Sequence, residues 1–110
     1  MELSTAVESL SALAHGHRLA IFRLLVQTGA DGMPAGEIAR QIGILSNTLS
    51  AHLTILNHAG LVQSRREGRS IIYSAQYEAM RELLNYLVAD CCGGRPEICG
   101  SLADMSACHG

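Results

Sequence analysis

The chain contains no lysine, no tryptophan, a single phenylalanine, and no cysteine before residue 91. Without lysine, every basic side chain apart from histidine is an arginine, whose planar fork suits bidentate contacts to phosphates and base edges. An aromatic content of 4% within 48% hydrophobic residues argues for helices packed by Leu, Ala and Ile rather than an aromatic core. No apolar run approaches the roughly 20 residues needed to cross a bilayer. The start, Met1-Glu2-Leu3-Ser4, lacks the basic and apolar regions of a secretory signal. A cytoplasmic protein with reduced thiols and no membrane partner is therefore expected. At 110 residues the chain is long enough for one modest core.

The net charge of −2 argues at first against a nucleic-acid partner, but its distribution is uneven. Residues 40–72 carry Arg40, Arg65, Arg66 and Arg69 against Glu67 alone. Residues 73–110 carry Arg81 and Arg95 against Glu78, Glu82, Asp90, Glu97 and Asp104. The positive charge lies mid-chain, where an element facing phosphates would use it.

Periodicity predicts a first amphipathic helix over 2–13, with Leu3, Val7, Leu10 and Leu13 at helical spacing. A second, over 17–27, is apolar around more than half its circumference and should be the central core helix. Pro34 suits the first turn of a third helix over 35–42, closed by Gly43. Ser46 reads as the N-cap of a fourth, running to His58. At about 100° per residue, Leu49, Leu53 and Leu56 share one side of that helix. Asn47, Ser50, Ala51, Thr54 and His58 share the other. An outer face that is small, polar and nearly uncharged differs from an ordinary solvated face, and amides and hydroxyls there can meet base edges and phosphates.

Two short β-prone runs follow, Leu61–Ser64 and Ser70–Tyr73, joined by Arg65-Arg66-Glu67-Gly68-Arg69. An arginine-rich hairpin after a polar helix is the order of a winged helix-turn-helix, with the helix in the major groove and the wing on the backbone. A fifth helix is expected from Gln76 to Asp90, its Met80, Leu83, Leu84, Leu87 and Val88 forming a stripe. One subunit of this size has little room to bury that stripe and the first helix's stripe together. A homodimer through the terminal helices would cover both and would suit palindromic DNA. The expected fold is thus mainly α, within the α+β class: five helices and a two-stranded hairpin wing.

Cys91, Cys92 and Cys99 fall within nine residues on a Gly/Pro-rich turn. Three soft sulfurs suit a thiophilic ion better than Mg²⁺ or Ca²⁺. Gly93 and Gly94 let the helix end fray so that the adjacent thiols converge, and Pro96 helps the chain turn back with Cys99.

In Leu13–Ile21, Ser50–Leu53, Ala59–Val62 and Arg65–Arg69 leading into Tyr73, the chain resembles the ArsR/SmtB family of metal-responsive repressors, over roughly residues 8–92. The resemblance implies a homodimer that sits on operator DNA when apo and leaves when an inducer binds. It makes residues 1–92 the DNA-binding and dimerisation domain and residues 93–110 a tail completing the inducer site. Ser46, Asn47, Thr48, Ser50, Thr54, Arg65, Arg66 and Arg69 are the candidate DNA contacts.

There are departures from the family pattern. His15-Gly16-His17 stands before Arg18 where members commonly carry Asp-Pro, and Ala51 replaces a long polar side chain before His52. His52, at the flank of the apolar face, reads as a buried, hydrogen-bonded structural residue. The third helix has no thiol, and the fifth helix has no histidine, so two of the family's inducer sites look absent. The C-terminal cysteines resemble those of the arsenite-responsive branch. By that resemblance Cys91, Cys92 and Cys99 are the ligands of As(III), or of Sb(III) or a methylated arsenical, with no permanent cofactor.

Rival readings use the same thiols. A Zn, Cd or Pb sensor would take a fourth donor from Cys108 or His109, and a thiol-oxidation sensor would need only the sulfurs. A cysteine-dependent arsenate reductase fits poorly. Thiols after a helix C-terminus lack the positive dipole that lowers a nucleophile's pKa. No enzyme is expected.

Overall fold

The computed structural model describes residues 1–89. Five helices and three strands run in the order α1 (Leu3–Leu13), α2 (Gly16–Thr28), β1 (Met33–Pro34), α3 (Ala35–Ile42), α4 (Ser46–His58), β2 (Val62–Glu67), β3 (Ser70–Ala75) and α5 (Tyr77–Val88). The expected helices are all present, within a residue or two of their predicted bounds.

The core forms around α2, which buries Ile21, Phe22 and Leu25. Ile38 of α3, Leu49, Leu53 and Leu56 of α4, and Leu61 and Val62 entering the wing complete it. Removing Leu56, which is fully enclosed, would cost about 2–5 kcal/mol, the usual range for a large-to-alanine change in a packed core. Two side-chain bonds fix the helices around this centre. Arg18 Nε donates to the Ala12 carbonyl at 2.6 Å, closing the α1–α2 corner. Tyr77 Oη donates to the Val26 carbonyl at 3.0 Å, holding the start of α5 against α2.

The sheet holds one element that the sequence reading missed. Its order is β1-β3-β2, antiparallel throughout, so the wing hairpin carries a third short strand. Pro34 is not in the first turn of α3; it precedes the helix with φ −63° and ψ 147° and lies opposite Ile72. Its fixed φ suits either place, and an edge strand tolerates its missing N–H. Gly32 makes this approach possible, since a Cβ there would lie 2.5 Å from the Tyr73 carbonyl oxygen and its φ is +76°. The wing strands are also longer than expected. Glu67 pairs with Ser70 across Gly68 and Arg69, so Arg65 and Arg66 are strand residues and only Arg69 sits at the tip. A two-residue connection favours positive φ, which Gly68 supplies at +62°.

The terminal helices leave part of their apolar stripes outside the core, as expected. α1 turns Ala6, Ser9 and Ala12 inward, a seam of small residues. Leu3 and Val7, at 67% and 52% exposure, stay outside together with Leu10. On α5 only Leu83 is fully buried, while Tyr86 and Leu87 are exposed. α1 and α5 pack together. The fifth helix stops at Val88, short of Asp90, and Ala89 is already outside helical geometry. Asp90, the 92/93 domain boundary and Cys91, Cys92 and Cys99 lie outside the described residues.

Candidate nucleic-acid interface

α4 is held from beneath by Leu49, Leu53 and Leu56, all buried against α2 and α3. Ser46, Asn47, Thr48, Ser50 and Thr54 are consequently all exposed. Gly43, in the left-handed region at φ +81°, ends α3 and turns the chain into the approach to α4. Ser46 is not the N-cap: Leu45 occupies that position with no side-chain cap bond, and Ser46 is the first helical residue. The Asn47 carboxamide oxygen accepts from the Thr48 amide at 2.9 Å. Thr54 Oγ1 donates to the Ser50 carbonyl at 2.9 Å, which leaves its oxygen lone pairs turned to solvent. The Ser46 and Asn47 amides, with no bond to a cap side chain and at the positive end of the helix dipole, form a ready contact for phosphate.

α3 supports α4 and carries its own surface network. Glu37 accepts from Arg40 Nε at 3.0 Å, from the Arg40 terminal nitrogen, and from Gln41 at 2.9 Å. Arg40 and then Gln41 hold the Glu37 carboxyl below its ordinary range, and Glu37 raises Arg40 in turn. Arg40, part of the mid-chain positive charge, is therefore paired.

The wing arginines are not equivalent. Arg65 lies opposite Ile72 and Arg66 opposite Ile71, and alternation along a strand sends the two arginines to opposite faces. Arg65 is tied down, with Nε donating to Glu67 at 2.5 Å and a terminal nitrogen donating to the Asp31 carbonyl at 2.6 Å. Arg66 shares its face with the exposed Ile71. Arg66 and Arg69 have no ion pair among the described residues. The cations available to a phosphate backbone are thus Arg66 and Arg69, with Arg65 acting as a brace that fixes the base of the wing.

A model described as a helix-turn-helix domain matches residues 13–65. The chain is 34% identical over 79 residues to the HTH-type transcriptional regulator YgaV of Escherichia coli K12, spanning 72% of this chain and 78% of that protein. The homodimeric winged helix-turn-helix DNA-binding domain of a possible ArsR-family regulator from Mycobacterium bovis superposes with a TM-score of 0.66. It shares 37% identity and covers 80% of this chain and 81% of its own. NolR from Sinorhizobium fredii superposes with a TM-score of 0.64 at 33% identity, over 77% and 82% of the two chains. The chain belongs to the winged helix-turn-helix transcriptional regulators. It has ArsR-family structural neighbours, and several of its relatives are named as transcriptional regulators, activators or repressors. No described helix is long and apolar enough to cross a membrane.

Within this regulator, one side chain of α4 departs from its expected role. His52 is half-buried, but its Nδ1 is enclosed and has no hydrogen-bond partner among the described residues. An enclosed polar atom left unpaired typically costs about 1–3 kcal/mol. The ring stands beside two others, with centroids 4.7 Å from His15 and 5.6 Å from His17. Burial foremost, then the neighbouring His15, Arg18 and His17, pushes the His52 pKa below its ordinary value. The sequence held the sign of this cluster in His15-Gly16-His17, but it gave no indication that residue 52 would pack against it.

Proposed function

We propose that the chain is a homodimeric repressor that binds operator DNA through α4 and the wing and releases it when trivalent arsenic binds Cys91, Cys92 and Cys99. The observation that carries this reading is the three-cysteine run of the sequence, which follows α5, a helix that packs against α1, the two leaving Leu3, Val7, Leu10, Tyr86 and Leu87 exposed. Those apolar residues are what a second copy would cover, and the Mycobacterium bovis neighbour is homodimeric. Trivalent arsenic favours three thiolates in a pyramid, which the cysteine count and spacing can supply. An ion held there would act next to the dimer contact. A change in that contact alters the spacing of two α4 helices, which must match two half-sites about 34–36 Å apart.

The DNA contacts under this reading are Ser46, Asn47, Thr48, Ser50 and Thr54 at the groove, with Arg66 and Arg69 on the backbone. Arg65 contributes by holding the wing. The test is a gel-shift titration of the operator complex with arsenite, antimonite, zinc and cadmium. Release is expected with arsenite and antimonite, and is expected to disappear in Cys99→Ser. Release by zinc or cadmium but not by arsenite, or an undiminished arsenite response in Cys99→Ser, overturns the arsenic assignment in favour of a four-donor or oxidation-sensing site.

A further inference from the structure

We propose that His15, His17 and His52 form a second metal site, for a borderline divalent ion such as zinc, separate from the cysteine-bearing tail. One potential ligand atom from each of the three lies within 4.8 Å of the other two. The ligands come from two parts of the fold, the start of α2 and the middle of α4, so only the folded chain assembles them. Gly16, with nothing within 4 Å of where a Cβ would stand, leaves room for the histidines on either side of it to swing toward the same point.

The geometry requires a small contraction. Zn–N bonds of about 2.0–2.1 Å in a tetrahedron place nitrogen ligands roughly 3.4 Å apart, closer than the widest spacing here. His15 and His17 are exposed and can close that gap by side-chain rotation, whereas His52 is fixed by its helix. His52 brings the feature that asks for a ligand, an enclosed Nδ1 with no hydrogen-bond partner among the described residues. Imidazole is a preferred donor for zinc and its neighbours in the first transition row. Three imidazoles leave one coordination position for water or an anion. Arg18 is the opposing charge, but its guanidinium is anchored on the Ala12 carbonyl, and Glu8 shares a cleft with it.

Ligation has a structural signature. In the free chain His15 Nδ1 accepts from the His17 amide at 3.2 Å. A neutral imidazole that gives one lone pair to a metal carries its proton on the other nitrogen. Whichever nitrogen of His15 binds, that long cap bond is therefore released.

The experiment uses the full chain with Cys91, Cys92, Cys99 and Cys108 all changed to Ser, so that thiols do not compete. Titration with Zn(II) is expected to show one ion per chain, a rise in melting temperature and a shift of the His17 backbone amide resonance. Co(II) is expected to give ligand-field bands without thiolate charge transfer. His15→Asn keeps a good helix cap while removing the imidazole, and His17→Gln changes an exposed side chain. Each should weaken zinc binding at least tenfold, and the pair should abolish it. Absence of zinc binding in the thiol-free chain, or binding undiminished in the His15→Asn, His17→Gln double variant, overturns the proposal.

Discussion

Two exposed surfaces of this small protein have opposite chemistry. The outer face of α4 and the wing present hydroxyls, an amide and arginines. The α1–α5 side presents Leu3, Val7, Leu10, Tyr86 and Leu87. Both sit on amphipathic elements whose other side is buried, so each is a remainder left over after the core is satisfied. The difference lies in the partner that each can accept. A polar, uncharged helix face with two unpaired arginines beside it fits a phosphate-lined groove, whereas a cluster of aliphatic side chains fits only another apolar surface. Exposure alone therefore says little; the chemistry of what is exposed suits one surface to nucleic acid and the other to an apolar partner.

The largest expected effect comes from breaking the apolar side. In a Leu3→Glu, Leu87→Glu double variant both residues are already exposed in the protomer, so circular dichroism should stay unchanged. Two charges per protomer in a buried subunit contact should leave monomers in sedimentation experiments. Operator affinity should then fall by roughly 100-fold or more, because burying unpaired charge costs several kcal/mol. Retained dimers would remove this surface from the subunit contact.

On the polar side, Arg66→Ala and Arg69→Ala should each weaken operator binding by roughly tenfold. Each should lower the salt slope by about one, as expected for loss of a phosphate contact. Arg65→Ala should affect the melting temperature more than the salt slope, because its guanidinium is spent on Glu67 and the Asp31 carbonyl. Equal salt slopes for Arg65→Ala and Arg66→Ala would erase the distinction between brace and contact.

Gly32→Ala should destabilise the fold by about 1–3 kcal/mol in denaturant melts, since both its φ of +76° and the nearby Tyr73 carbonyl oppose a Cβ. This change attacks the base of the wing and leaves the α1–α5 side intact. The smallest effect concerns Glu37. Its folded pKa is depressed by Arg40 and Gln41, so its contribution to stability is fully present above the ordinary value of 4.5 and fades as pH falls through the lower folded value. Glu37→Gln should flatten that acid-side step in a melting-temperature profile.

Much of this was legible in the chain. Leu49, Leu53 and Leu56 at helical spacing fixed both the buried and the polar face of α4, because helix periodicity alone assigns opposite residues to opposite sides. The Gly68 hairpin was legible because few residues adopt positive φ. What stayed hidden depended on contacts distant in sequence. β1 is two residues long and exists only because β3 passes beside it. Arg65 differs from Arg66 because of a carbonyl at Asp31. The exposed stripe of α1 was legible as more than one subunit could bury, but the inward choice of Ala6, Ser9 and Ala12 was set by close helix packing.

By itself the sequence determined the order of the helices and the wing hairpin, the polar character of α4, the cationic wing and the presence of three closely spaced thiols after α5. These are local properties of spacing and residue type. Tertiary structure alone decided which small residues α1 turns inward, which arginines have no ion pair among the described residues, and that His52 meets His15 and His17. Those outcomes depend on how separate helices and strands meet, and no single stretch of chain encodes that meeting.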